Sequence, residues 1–142
     1  MLPPISAELV RLNTTDKVFQ RAKDYAEGRV VRDPILRGNM LTAQVDGSDW
    51  QPYRVLITFD AHTVTEASCT CPYDWGGWCK HIGAVLLTVL ARPGETHISE
   101  PIDTLLDDLS GRQLRQLLRD VIAQHPDVLE TLDVLLQPPS AR

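Results

Sequence analysis

The sequence predicts an α+β fold in which an N-terminal helix and a small antiparallel sheet are followed by a second helix and a helical C-terminal tail. Three patterns carry this prediction. Apolar residues recur with a helical period after position 15, alternate with polar residues between positions 40 and 68, and recur with a helical period again after position 79. The 142 residues, 43% of them apolar, suffice for one ordinary domain with a short appendage.

The first predicted helix begins near Asn13 to Thr15, because the side chains there can cap free backbone N–H groups. Gly28 is a natural C-terminal stop. The apolar stripe between these points consists of Val18, Phe19, Ala22, Tyr25 and Ala26. We therefore expect an amphipathic helix that packs this stripe on the core.

Four β-prone runs follow the helix: Val30-Val31, Met40 to Val45, Tyr53 to Phe59 and Thr63 to Ser68. Short polar turns at positions 46–49 and 60–62 separate the last three, which favours an antiparallel meander. Leu56 interrupts the polar side of the third run. We therefore expect the outer face of the sheet to be partly covered.

A second amphipathic helix is predicted from about Cys79 to Ala91. Its buried face is formed by Ile82, Val85, Leu86, Val89 and Leu90. The expected organisation is a first domain over residues 1–92, a linker over 93–99 and a tail of short helices over 100–137. In the tail, Ser110 and Gln113 have capping-box spacing. Leu-rich faces on these helices are expected either to pack together or to offer a groove to a partner.

Composition limits the function of the chain. The net charge of −5 excludes a global attraction to nucleic acid, so any such binding needs a local basic patch. No segment approaches the roughly 20 apolar residues that span a bilayer, and the N-terminus lacks the regions of a signal peptide. We expect a cytoplasmic protein with no membrane partner. Phosphate loops, nucleophile elbows and HExxH motifs are absent from the sequence, which favours a binding module over an enzyme.

The most informative motif is a cluster of cysteines and one histidine: Cys69, Cys71, Cys79 and His81. Residues two apart on a strand share a face, so the first two thiols can meet one point, and the Gly-containing loop can bring the second pair to it. Three thiolates and an imidazole satisfy the tetrahedral preference of zinc and leave no vertex for water. Idle cysteines are a weaker interpretation, and the redox spacing C-x-x-C is absent. The prediction is one structural Zn²⁺.

The C-x-C and C-x-H pairs, entering an apolar helix, resemble the SWIM zinc finger. The resemblance extends to the flanking runs 67–73 and 79–82, and more loosely to residues 15–91. It implies a β-β-α zinc finger after the sheet. Members of the family are expected to bind DNA or proteins, and they occur near Swi/Snf-type helicases and transposases. Two functions follow as expectations: a DNA-binding module, or a protein-interaction adaptor, for example for a helicase-type partner.

Several aromatic and basic side chains are candidates for nucleic-acid contact, because such groups stack on bases and hold phosphates. They are Arg29, Arg32, Arg54, Tyr73, Trp75, Trp78 and Lys80. The aromatic residues could equally pack over the metal site or the following helix. Acidic residues interleave with the basic ones, which also fits an ordinary mixed-charge surface. Neither alternative is decided by the sequence.

Overall fold

A computed structural model describes residues 4–138 of the chain, which form two compact units, one up to Pro101 and one from Ile102. The first unit contains three helices, a 3-10 turn and five strands. These elements are α1 (Ala7–Leu12), α2 (Asp16–Glu27), β1 (Val31–Arg37), β2 (Met40–Val45), β3 (Tyr53–Phe59), β4 (Val64–Cys69), α3 (Lys80–Ala91), the 3-10 turn (Pro93–Glu95) and β5 (His97–Ser99). The second unit contains α4 (Ile102–Asp107), α5 (Gly111–Gln124) and α6 (Val128–Leu136). The α+β fold class is confirmed.

The strands form one sheet in the order β4-β3-β2-β1-β5. Neighbours from β1 to β4 pair antiparallel. The two predicted turns join β2 to β3 and β3 to β4, and β2 and β3 have the predicted bounds. β5 pairs parallel with β1, so the sheet is not wholly antiparallel. The prediction missed this pairing because β5 has only three residues and its partner lies about 60 positions away in sequence, where no local pattern links the two.

The core lies between one face of this sheet and the three helices of the first unit. Alternate residues of β2 and β3, among them Leu41, Val45 and Ile57, are buried, as the period of a strand requires. α3 is buried along most of its length and supplies Leu86 and Val89 to the same cluster. α3, which begins at the predicted metal ligands, is therefore also the central helix of the core.

Strand β1 is longer than predicted. An irregularity in its pairing breaks the apolar alternation from which its length was predicted. Its pairing with β2 shifts between Arg32 and Ile35, where Asp33 has a φ of 51° and Pro34 follows. Proline has no N–H to donate to a ladder and is tolerated in strands at such bulges. The apolar alternation therefore ends at Val31 in the sequence although the strand continues.

Two further elements depart from the sequence-based expectations. Residues 7–12 form α1, whose N-terminus is capped by Ser6, although the segment has no strong helical period. Residues 93–99, expected to be a linker, form the 3-10 turn and β5. Both elements are short, and they are held by contacts with distant parts of the first unit, so local periodicity cannot reveal them.

The second unit contains the predicted short helices. Ser110 and Gln113 form the predicted capping box at the start of α5. Among residues 102–138 no residue is buried, and the leucines of α5 are roughly two-fifths exposed. No helix in the described part of the chain is long and apolar enough to cross a membrane.

Candidate metal centre

Four side chains converge at one end of the sheet. The ligand atoms of Cys69, Cys71, Cys79 and His81 all lie within 4.8 Å of one another. Cys69 is the last residue of β4, and Cys71 follows it by two positions. Cys79 is the N-cap of α3, and His81 lies in the first turn of that helix. A strand end and a helix start thus bring together the two pairs that the sequence separates by seven residues.

The spacing of the donor atoms fits a tetrahedral ion. The Nδ1 atom of His81 lies 3.6 Å from the Sγ of Cys69 and 3.8 Å from the Sγ of Cys79. Two ligands at about 2.3 and 2.0 Å from zinc, separated by the tetrahedral angle, lie about 3.5 Å apart. The observed separations are close to this value, so Nδ1 is the histidine atom that faces the metal position.

His81 provides a second test of the fit. Its side chain is buried, and its Nε2 atom has no hydrogen-bond partner among the described residues. A buried imidazole with only thiols beside one nitrogen and nothing beside the other is costly. A metal ion on Nδ1 would replace the weak thiol contacts of that nitrogen with a strong bond and would leave the ring proton on Nε2, which has no acceptor among residues 4–138. The residues present therefore fit one zinc ion, which Cys69, Cys71, Cys79 and His81 are positioned to bind.

The three thiols share protons unequally. A hydrogen bond from the Cys69 thiol, supported by the His81 side chain and the Ile82 backbone N–H, lowers the pKa of Cys79 to about 4. The same contact with Cys79 raises the pKa of Cys69, and burial raises the pKa of Cys71. These contacts favour the thiolate form of Cys79 over the thiolate forms of Cys69 and Cys71. Binding of Zn²⁺ displaces the protons of the other two thiols, so acid opposes it.

Two tyrosine rings hold the imidazole of His81 in place. The ring of Tyr53 lies 4.4 Å from it, centroid to centroid, and the ring of Tyr25 lies 5.7 Å from it. Gly47 makes room for this stack, because a Cβ there would lie 2.5 Å from the Tyr53 ring and 3.4 Å from His81 Nε2. The tyrosines thus fix the orientation of the ligand, as outer-shell groups commonly do.

The loop between the two ligand pairs is anchored to the end of α1. The backbone N–H of Trp78 donates to the carbonyl oxygen of Asn13 at 2.7 Å. Gly77 has a φ of 70°, and a Cβ there would lie 2.6 Å from the same oxygen. Glycine is therefore required at position 77 for both the backbone conformation and the close approach. The sequence identified the glycines as a flexible link, but it could not reveal the contact with Asn13.

A Cys₃His cluster between a strand end and a helix start defines this part of the protein as a zinc finger. Residues 53–90 match the family model of the SWIM zinc finger. The chain therefore contains a SWIM-type zinc finger, which comprises β3, β4, the ligand loop and most of α3. No solved structure matches the chain. The predicted zinc cofactor and β-β-α arrangement are confirmed.

The basic residues predicted to contact nucleic acid do not form one patch. Arg29 pairs with Glu95 at 3.2 Å, and Arg32 pairs with Asp46 at 2.7 Å, so neither charge is free. Arg54 is exposed and lines a separate groove of about 1010 Å³ on the outer face of the sheet. Leu56 also lines this groove and is 38% exposed, whereas Ile35 and Thr42 in the same groove are half-buried.

The candidates of the ligand loop divide into packed and exposed side chains. Tyr73 and Trp78 pack against the core, and the Tyr73 hydroxyl donates to the carbonyl oxygen of Gly76. Trp75 is 84% exposed. The Lys80 ammonium lies 5.1 Å from the centre of the Tyr25 ring. Trp75 and Lys80 both line the cleft at the metal centre, and neither forms an ion pair among residues 4–138.

Proposed function

We propose that this protein is a zinc-stabilised nucleic-acid-binding module, with DNA as its expected ligand, and not an enzyme. The observation that supports the proposal is that two basic side chains near the metal centre form no ion pair. Arg21 and Lys80 line a cleft beside the metal centre, and within residues 4–138 neither forms an ion pair. Cations without an ion pair hold phosphates, and an exposed indole, here that of Trp75, stacks on bases.

Zinc has an organising role in this proposal. The ion would be held by four protein ligands, so no vertex remains for a substrate, and its chemistry is that of a fixed cross-link. The cross-link joins the end of β4 to the start of α3 and sets the conformation of the loop that carries Trp75. Because the protein is acidic overall, attraction to a nucleic acid has to come from this local group of side chains.

Salt-dependent binding tests the proposal. The zinc-loaded protein is titrated into labelled single-stranded and duplex DNA, and fluorescence anisotropy is followed over a salt series. With two or three phosphate contacts, we expect the affinity to fall about tenfold between about 50 and 200 mM salt. Lys80→Glu should weaken DNA binding. Lys23 is an exposed cation on α2 that does not line the cleft, so Lys23→Glu should change the affinity far less.

Absence of binding to either DNA at the lowest salt, with zinc content and folding intact, would contradict the proposal. An effect of Lys23→Glu as large as that of Lys80→Glu would show that the attraction is diffuse and does not originate at the metal centre. Zinc content of both variants, measured by elemental mass spectrometry, ensures that the comparison concerns the ligand and not the fold.

A second candidate function is a protein-interaction adaptor, for example for a helicase-type partner. The observation that favours it is the row of leucines on α5, since Leu114, Leu117 and Leu118 are all about 40% exposed. An amphipathic helix with an accessible apolar face is a common recognition element for protein partners. The adaptor predicts no affinity for DNA and dependence on these leucines. The cytoplasmic location expected from the sequence stays a prediction.

A further inference from the structure

The cleft beside the metal centre has a size and a lining that indicate one kind of ligand. It has a volume of about 270 Å³ and lies between α2, the β2–β3 loop, the ligand loop and the start of α3. The metal ligands Cys71, Cys79 and His81 form part of its lining, so a bound zinc ion would take up some of this volume. Ligand pockets for drug-sized molecules usually measure about 300–1,000 Å³. A cleft of this volume admits one planar ring system with its immediate substituents. A base pair inside a stacked duplex is too large to enter it.

The walls of the cleft combine cations with aromatic rings. Arg21 from α2 and Lys80 from α3 supply two positive charges, and Tyr53, Tyr73 and Trp75 supply the rings. Three arginines of the first unit form ion pairs, and none of them lines the cleft: Arg29, Arg32 and Arg92. The lining therefore leaves its charge available to an anionic group.

Trp75 distinguishes this cleft from the rest of the surface. It lines the cleft and is 84% exposed, so one face of the indole can receive a flat ligand. A comparably exposed tryptophan, Trp50 at 88%, lies in the β2–β3 loop and does not line the cleft. Stacking on an aromatic side chain is tolerant of base identity, because every base has a π face.

From this geometry we infer that the cleft beside the zinc ligands binds a single unpaired nucleotide base, stacked on Trp75, with the adjoining phosphate held by Arg21 and Lys80. The inference rests on the proposed nucleic-acid function and makes it more specific: the preferred ligand is a single strand. A zinc ion with three thiolates carries net negative charge, so the alternative is that the two cations only neutralise the thiolates. These two roles predict different effects of the same substitutions.

The test compares two tryptophans and two forms of one ligand. A labelled oligothymidylate of about ten nucleotides, which is within the site size of single-strand binders, is titrated alone and as a duplex with its complement. We expect the single strand to bind more tightly than the duplex. Trp75→Ala should weaken single-strand binding about tenfold, and Trp50→Ala should leave it unchanged. Arg21→Ala should weaken binding and reduce the salt slope by about 0.7.

Four results would overturn the inference. Equal effects of Trp75→Ala and Trp50→Ala would mean that the cleft does not select the base. Tighter binding to the duplex, unaffected by Trp75→Ala, would leave the nucleic-acid function standing and remove the cleft from it. A loss of zinc affinity in Arg21→Ala and Lys80→Ala, with unchanged oligonucleotide affinity, would assign the cations to the thiolates. If the wild-type protein binds neither DNA, the proposed function fails together with the inference.

Discussion

Cys79→Ser is expected to abolish cooperative folding of the first unit at room temperature, as removal of zinc by a chelator should do for the wild-type protein. Cys79 is buried and is both a metal ligand and the N-cap of α3. Its Sγ accepts a hydrogen bond from the backbone N–H of Ile82 at 3.5 Å. Serine is one of the best N-cap residues, so the substitution keeps the cap and removes only the metal ligand.

The size of this effect follows from the energies of structural zinc sites. Zinc binding in finger peptides corresponds to about 10–16 kcal/mol, whereas small domains are stable by about 5–15 kcal/mol. Loss of the ion should therefore remove most or all of the stability of the first unit. Thermal melting with a circular dichroism signal measures it. Ser68→Ala, next to Cys69 and exposed, is the matched control and should melt like the wild type. A chelated protein and a Cys79→Ser variant that both keep the wild-type melting temperature would contradict a structural role for zinc.

Gly83→Val is expected to lower the free energy of unfolding of the first unit by about 3 kcal/mol. Gly83 lies in α3, where the helix passes closest to α2 and α1. A Cβ at this position would lie 2.8 Å from the Cβ of Ala22 and 3.3 Å from the Cγ1 of Val10. Neither neighbour can rotate away, because Ala22 has no rotatable side chain and Val10 is fully buried. The helices must therefore separate to accommodate the new side chain.

Gly83→Ala separates two opposing effects at the same site. Alanine in a helix interior normally stabilises by about 1 kcal/mol relative to glycine, whereas overpacking costs about 1–3 kcal/mol. We expect a smaller net loss than for valine, measured by urea denaturation. Gly94→Ala, where no atom lies within 4 Å of the added Cβ, is the control and should stay within about 0.5 kcal/mol of the wild type. An alanine variant that is more stable than the wild type would show that α2 and α3 are not in close contact.

The parts of the fold that depend on local patterns could be predicted from the sequence. The bounds of β2 and β3 follow from alternation between two polar turns, and the start of α5 follows from the capping box. The metal ligands could be predicted for a similar reason. Three cysteines and one histidine lie within thirteen positions, and this number and type of ligand match a closed tetrahedral zinc site.

The remaining features depend on contacts between residues far apart in sequence. Nothing near Tyr53 indicates that its ring stacks on His81, and nothing near Gly77 indicates that it lies against Asn13. Strand β5 exists because β1 offers it an edge. The ion pair between Arg29 and Glu95 likewise joins residues that are 66 positions apart. Because of this pair, the charge of Arg29 is neutralised, which composition alone does not indicate.

X-ray absorption at the zinc edge, combined with metal content by elemental mass spectrometry, tests the central claim most directly. We expect one zinc per chain, with three sulfur ligands at about 2.3 Å and one nitrogen ligand at about 2.0 Å. Protein purified without metal, or a zinc ion with an oxygen ligand in place of one of these four, would contradict a closed site formed by Cys69, Cys71, Cys79 and His81.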